Sequence, residues 1–379
     1  MTTDFLQTLT HHNLRSASAF LLAIFMILQA CGDGERVIPI EGPGQISTIA
    51  GDGYGFSGDG GPAIDAKFTS ISALSVGENG DIYIADDGNG RMRKIDAQTG
   101  IVETIAGDGT TVYPGDGLPA TTVGLDRIWD LAIDSQDNLF ISGGDRPSWF
   151  RYLDAETGTV RTLMTQPVLR MTIDADSEGF GYVLGNDDEA IIRIDPTTGD
   201  QEFLRLNAEI MNFTVIGPGE IVAFTRDAGY GGGSPLFRLV RFDTVSMEKV
   251  EISGPYPPFP FLMGSEYTQL VADVLGRSYP REVVQYDEET VLVVRSGYPH
   301  IVIGKIDLNS GDGATVAGKG KGGYSGDGGS SLEAMLSASA IAVEPDGALL
   351  IGGGSETRGV RIRRVLPPLP TRDVRLGPE

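Results

Sequence analysis

One phrase returns along this chain and limits what it can fold into. It reads Ile95-Asp96-Ala97-Gln98-Thr99-Gly100, then Leu153-Asp154-Ala155-Glu156-Thr157-Gly158, then Ile194-Asp195-Pro196-Thr197-Thr198-Gly199. Looser copies start at Phe242 and Ile306. Each copy ends an apolar run on Asp and reaches Gly through polar residues. That is the chemistry of a hairpin turn, with Gly supplying the positive φ. A unit that recurs every few dozen residues is the mark of a repeat architecture.

Around each turn the sequence supplies four strand-like runs. First runs are Ala73–Val76, Ile128–Ile133, Leu169–Ile173, Asn212–Ile216, Arg281–Tyr286 and Ser339–Val343. Six second runs follow Gly/Asp/Asn turns, as in Asp81–Ala85 and Asn138–Ile141. Six third runs are basic and alternating, as in Arg91–Ile95 and Val360–Val365. Only five fourth runs lie inside the array. The sixth is upstream: Ile46-Ser47-Thr48-Ile49-Ala50-Gly51-Asp52-Gly53 copies Val102-Glu103-Thr104-Ile105-Ala106-Gly107-Asp108-Gly109. The expected fold is therefore all-β, a six-bladed β-propeller of four-stranded antiparallel blades over residues 46–365. Its last blade is closed by the N-terminal strand, which removes the open edges that invite aggregation. Residues 255–280 read as an insertion, and 366–379 as a Pro-rich tail.

The first repeat is specific. Gly80-Asp81-Ile82-Tyr83-Ile84-Ala85-Asp86, then Asn89, then Arg91-Met92-Arg93-Lys94-Ile95, resembles the NHL-repeat β-propeller signature. The phrase Gly55-Phe56-Ser57-Gly58-Asp59-Gly60-Gly61-Pro62-Ala63 is similar to the inter-blade loop of bacterial NHL proteins. It recurs at Tyr113–Ala120 and Gly323–Gly329. The resemblance is carried by blades one, two and six; in blades three to five the reading rests on strand counting. Asp86, Asn89 and Arg91 are expected to serve the blade itself, since Asp and Asn in turns bond backbone amides.

The ends of the chain add a location. Residues 19–30, AFLLAIFMILQA, are too short to span a bilayer and suit a signal-peptide core. Leu28-Gln29-Ala30-Cys31 follows and resembles the bacterial lipobox, which implies cleavage after residue 30 and lipid on Cys31. Residues 31–45 then form the lipidated cysteine and a tether. Gly32 after the cysteine implies outer-membrane sorting in the Gram-negative case. The expected location is the bacterial cell envelope, with the membrane reached only through the lipid.

Composition excludes several chemistries. Cys31 is the single cysteine, so no internal disulfide or thiolate cage exists. The histidines are His11, His12 and His300. Loss of the leader would leave one, too few for the zinc centre of the NHL-type peptidylglycine lyases. With 29 Lys and Arg against 52 Asp and Glu, net charge −23, nucleic acid is not an expected partner. The Gly-Asp-Gly loops suggest calcium, but none completes the known cation loop. No cofactor is expected. The bland reading makes each loop a turn and short helix over the channel mouth, with Ala66 and Phe68 packed inward.

In a propeller the fourth-to-first and second-to-third connections share one face. Here that face receives the long segments, and with them Tyr54, Phe56, Asp59, Tyr113, Asp116, Trp149, Tyr230, Tyr298, His300, Tyr324 and Asp327. Aromatic platforms beside carboxylates suit a protein, peptide or glycan ligand. The expected function is a non-enzymatic envelope scaffold binding on this face. The alternative is a carboxylate-metal lactone or ester hydrolase of the gluconolactonase-like kind. That would need Asp130, Asp134, Asp174, Asn212 and Glu282 to converge on the channel axis.

Overall fold

The structure is a computed structural model. It describes residues 44–369 except 146, 167–171, 185–189, 207, 228–235, 247, 257–279, 298–299 and 312. The leader, Cys31, most of the 255–280 insertion, Tyr230, Tyr298 and the tail from 370 onward lie outside the described residues.

Six antiparallel sheets follow one another along the chain. Blade I is Ile71–Val76, Ile82–Asp86, Arg91–Ile95 and Ile101–Ala106. Blade II is Ile128–Ile133, Leu139–Gly143, Ser148–Leu153 and Thr159–Gln166. Blade III is Ile173–Ala175, Gly181–Leu184, Ala190–Ile194 and Gln201–Arg205. Blade IV is Glu209–Gly217, Glu220–Asp227, Leu236–Asp243 and Lys249–Tyr256. Blade V is Pro280–Asp287, Thr290–Gly297, His300–Asp307 and Gly313–Ala317. Blade VI is Ala340–Val343, Leu349–Ser355, Gly359–Val365 and, from the far end of the chain, Gln45–Gly53.

The recurring phrase makes the turn between third and fourth strands. In blade I the Asp96 carboxylate accepts from the amides of Gln98 and Thr99, and the Gly100 amide donates to the Asp96 carbonyl. Gly100 takes φ +67°, where a side chain would be strained. Asp154–Gly158, Asp195–Gly199 and Asp307–Gly311 repeat the same Gly-to-Asp backbone bond. Second strands are sandwiched between neighbouring blades and so lack alternation: all of Ile82–Asp86 and Leu139–Gly143 is buried. Outer strands face water, and Gln201–Arg205 buries only Leu204.

The ring closes as the repeat arithmetic requires. Ile46 pairs with Val365, Ser47 with Arg364 and Thr48 with Arg363. Ile46 is fully buried, packed with Val316, Leu349 and Val365.

Two features differ from the expectation. Blades I, II and VI carry a fifth short strand, Gly61–Pro62, Leu118–Pro119 and Gly329–Ser330. Each belongs to a Gly-Asp-Gly loop and pairs with the outer strand of the blade that the loop precedes. Those loops therefore run to the rim of the ring instead of covering the channel mouth. Ala66 and Phe68 do pack inward, both wholly buried, and the short helix is the single 3-10 turn Ala63–Asp65. Among the described residues blades III to V show no such fifth strand, and first strands in IV and V run longer than the apolar runs that marked them. Backbone pairing there continues through polar ends such as Glu209 and Asp287.

Candidate functional site

The six innermost strands enclose a channel of about 680 Å³. Its middle is apolar, lined by Leu74, Leu131, Ile173, Phe213, Val283 and Ile341. Its polar groups are tied to the wall. Asp87 accepts from the Ile128 amide (2.8 Å), reaching from blade I to blade II. Asp130 accepts from Ile173 (3.1 Å), Asp174 from Val215 (2.8 Å) and the Thr214 hydroxyl (2.9 Å), and Glu282 from Ile341 (2.9 Å). Ser75 and Ser339 make the corresponding links to the carbonyls of Leu131 and Ile71. A first strand has a free hydrogen-bonding edge on the channel side, and a short acid from the blade before satisfies one amide of it. Asp134 is used elsewhere, accepting from Gln136 and Asn138 in its own turn. Three of the acids that a metal centre would need, Asp130, Asp174 and Glu282, are thus spread around the ring as inter-blade ties. Among the described residues no three His, Cys, Asp or Glu gather into a metal-holding group.

Burial strongly perturbs two acids, Asp174 in this wall and Asp86 on the second strand of blade I. Desolvation pushes Asp174 up to about 6, against the pull of its bonds to Val215, Ala175 and Thr214. Asp86 is likewise pushed up to about 6 by desolvation, despite bonds from Asn89 and Thr69. A carboxyl whose folded pKa exceeds its unfolded value stabilises the fold below the unfolded pKa, and that contribution fades as pH rises through the folded one. The window here runs from about 4 to about 6, with an effect of roughly 3 kcal/mol per group. Melting temperature is expected to rise as pH falls from 7.5 to 5, and Asp174→Asn should flatten that rise. The turn acids titrate elsewhere: backbone bonds hold Asp195, Asp243 and Asp307 low, so their loss is felt only below the usual carboxylate range.

The described loop-face residues other than His300 fall into three separate caps, one on each braced blade. In blade I the Arg93 guanidinium is buried beneath the loop. Its Nε and Nη2 donate to Asp59 (3.1 and 2.7 Å), Nη1 to the Lys67 carbonyl and Nη2 to the Ser57 carbonyl. Asp59 also accepts from Thr104 on the outer strand (2.6 Å). Blade VI repeats the device: Arg363 donates to Asp327, Ser325 and Met335, and Thr48 to Asp327. The Gly-Asp-Gly acids therefore clasp third and fourth strands together. Asn89 donates to Asp86 (2.7 Å) and the Gly55 carbonyl, and Arg91 donates to the carbonyls of Asn89 and Asp108.

Aromatic groups of the caps are partly used in the same way. Phe56 lies under Arg91, 4.1 Å from ring centre to guanidinium, while it and Tyr54 stay exposed. The Tyr324 hydroxyl donates to the Gly353 carbonyl. Tyr113 donates to Asp116 (2.6 Å), and Trp149 is buried. His300 opens the third strand of blade V opposite Gly297.

The sequence reading passed over Trp129. It lines the channel at the start of a first strand, hence on the loop face, with Nε1 donating to the Gly144 carbonyl (2.8 Å). Arg127 stands 5.3 Å over its ring and pairs with Asp145 (3.4 Å). Arg127 has φ +32°, one of two non-glycine residues with positive φ among those described. A Trp inside the run Ile128–Ile133 does not stand out in sequence, because its position relative to the axis is set by the ring.

Comparison with known proteins agrees with this architecture. The teneurin NHL domain family matches residues 23–96. Human teneurin-4 is 35% identical over 100 residues, covering 22% of this chain, and mouse teneurin-1 is 36% identical over 100 residues, also 22% of it. The match spans 4% of the length of those curated relatives. Among solved structures, an auxiliary nutrient binding protein from Bacteroides thetaiotaomicron superposes with TM-score 0.54 at 18% identity, over 84% of this chain and 75% of that one. A second, from Bacteroides ovatus, gives 0.56 at 15% identity, over 84% and 76%. At these identities the likeness speaks for the fold. The chain is a six-bladed β-propeller whose N-terminal part, residues 23–96, matches the teneurin NHL domain family.

Proposed function

We propose that this protein is a non-enzymatic ligand-binding propeller of the bacterial cell envelope, held to the membrane by lipid on Cys31. Its ligand, a peptide or glycan segment, seats on the loop face at the channel mouth, with Trp129 as the stacking platform. The observation that carries this is the division of labour in the channel. The acids tie blade to blade, which leaves, among the described residues, an indole and the exposed Arg127–Asp145 pair as functional groups at the mouth. A flat aromatic beside a charged pair is suited to recognising a sugar ring or a peptide segment. Description of two proteins of this fold as auxiliary nutrient binding proteins is in keeping with capture rather than turnover.

The test uses the full lipidated chain in detergent on peptide and glycan arrays. Trp129→Ala is expected to weaken the best hit about tenfold or more, as for a central aromatic anchor. Unchanged binding in that variant removes Trp129 from the site. A stoichiometric divalent ion in the purified protein, with lactone or ester turnover, would replace this reading with the hydrolase. Cys31→Ala is expected to move the protein from the membrane to the soluble fraction.

A further inference from the structure

The clasp has an exception, and it is in blade II. Arg151 occupies the place of Arg93 and Arg363, two residues before the apolar end of its third strand. The preceding loop keeps the acid, Asp116, in the place of Asp59 and Asp327. Yet the pair is not made. Asp116 accepts instead from the Tyr113 hydroxyl (2.6 Å) and the Thr162 amide (2.9 Å). Arg151 is 5% exposed, and its buried Nε and Nη1 have no hydrogen-bond partner. What surrounds it is aromatic: the Tyr113 ring centre is 3.4 Å from the guanidinium carbon and that of Trp149 4.0 Å. Two rings this close cover the faces of the planar cation and leave its edges.

A buried guanidinium with orphaned N–H groups is costly, and ring stacking offsets only part of the cost. The other two clasps show what the open edge accepts, because in both Nε and Nη2 hold a carboxylate. We propose that the Nε edge of Arg151 is a binding site for a small organic carboxylate, which takes the place that Asp59 and Asp327 occupy in blades I and VI. The aromatic walls favour a planar anion, coplanar with the guanidinium, over a tetrahedral one. Entry is across the Thr110–Tyr113 segment, where Thr110, Thr111 and Val112 are exposed. Desolvation lowers the Arg151 pKa to about 10, still well above neutrality, so the cation persists at physiological pH. This site lies under the blade II loop, away from the channel axis, and stands whether or not a larger ligand binds at Trp129.

Trp149 reports on the site directly, since the chain has two tryptophans and Trp129→Phe leaves Trp149 alone. The full chain carrying that substitution is titrated with sodium acetate and sodium glucuronate, against sodium chloride and glucose as controls. A saturable change in emission in the millimolar range is expected with both carboxylates and with neither control. Asp116→Asn, which removes the nearby competing charge, should tighten acetate binding several-fold, and Arg151→Gln should abolish the response. A response no larger than that of chloride overturns the proposal. So does a saturable response that survives Arg151→Gln. If Arg151→Gln does not fold, a failure of Asp116→Asn to tighten acetate binding overturns it equally.

Discussion

A chain that begins at residue 54 is expected to lose cooperative folding and to aggregate. Residues Gln45–Gly53 are the outer strand of the last blade, paired along Gly359–Val365 and covered in turn by Gly329–Ser330. Removing them takes Ile46 and Ala50, both fully buried, out of two core clusters. It also bares the edge of Gly359–Val365, a ready template for another chain. The loss of two buried apolar residues and a strand's ladder exceeds the stability margin of an ordinary domain. Size-exclusion chromatography and thermal unfolding of the truncated chain would show this. Carrying residues 44–53 on the C-terminus instead should restore a cooperative transition, because the Gly44 amide already donates to the Leu366 carbonyl. A monomeric truncated chain with an unchanged melting curve would mean that the seam contributes little.

Arg363→Met is expected to cost about 3 kcal/mol, and Arg93→Met about the same. Each arginine neutralises its loop acid and satisfies two loop carbonyls at once, and Arg93 also lies 3.8 Å from the buried Asp86 carboxylate. A methionine fills much of the volume but leaves those carbonyls without donors. The acids are partly solvated, Asp327 47% and Asp59 35% exposed at the side chain, which keeps the loss at the lower end for a broken buried pair. Asp327→Asn should cost less, since an amide oxygen can still accept from the guanidinium. Urea titration of the four chains gives the order directly, and limited proteolysis should cut first in the 319–337 loop of Arg363→Met. Equal stability of Arg363→Met and the parent would show that the clasp is ornamental.

These arginines also mark the limit of what the sequence displays. The ring was legible because turn chemistry is local: an Asp four residues before a Gly in φ-positive geometry is the same wherever it occurs. Closure was legible because 46–53 copies 102–109 nearly residue for residue. The clasp joins residues 34 or 36 apart, and nothing in Asp59 alone says whether it faces a ligand or a neighbour strand. The clue lay in co-occurrence. Arg stands two before the last apolar residue of the third strand in blades I, II and VI, which follow a Gly-Asp-Gly loop; Ile192, Val240 and Gly304 stand there in blades III to V. Asp130, Asp174 and Glu282 were visible as candidate channel acids. Their commitment to amides of the next blade follows from the angular offset between blades, which no linear spacing encodes. Trp129 escaped for the same reason.

The fifth short strands fall on blades VI, I and II, which are consecutive around the ring and centred near its join. A wheel assembled from one ribbon is weakest where its two ends meet, since only side-by-side pairing holds them there. The short strands bolt the sectors on both sides of that meeting point, adding edge pairing where covalent continuity is missing.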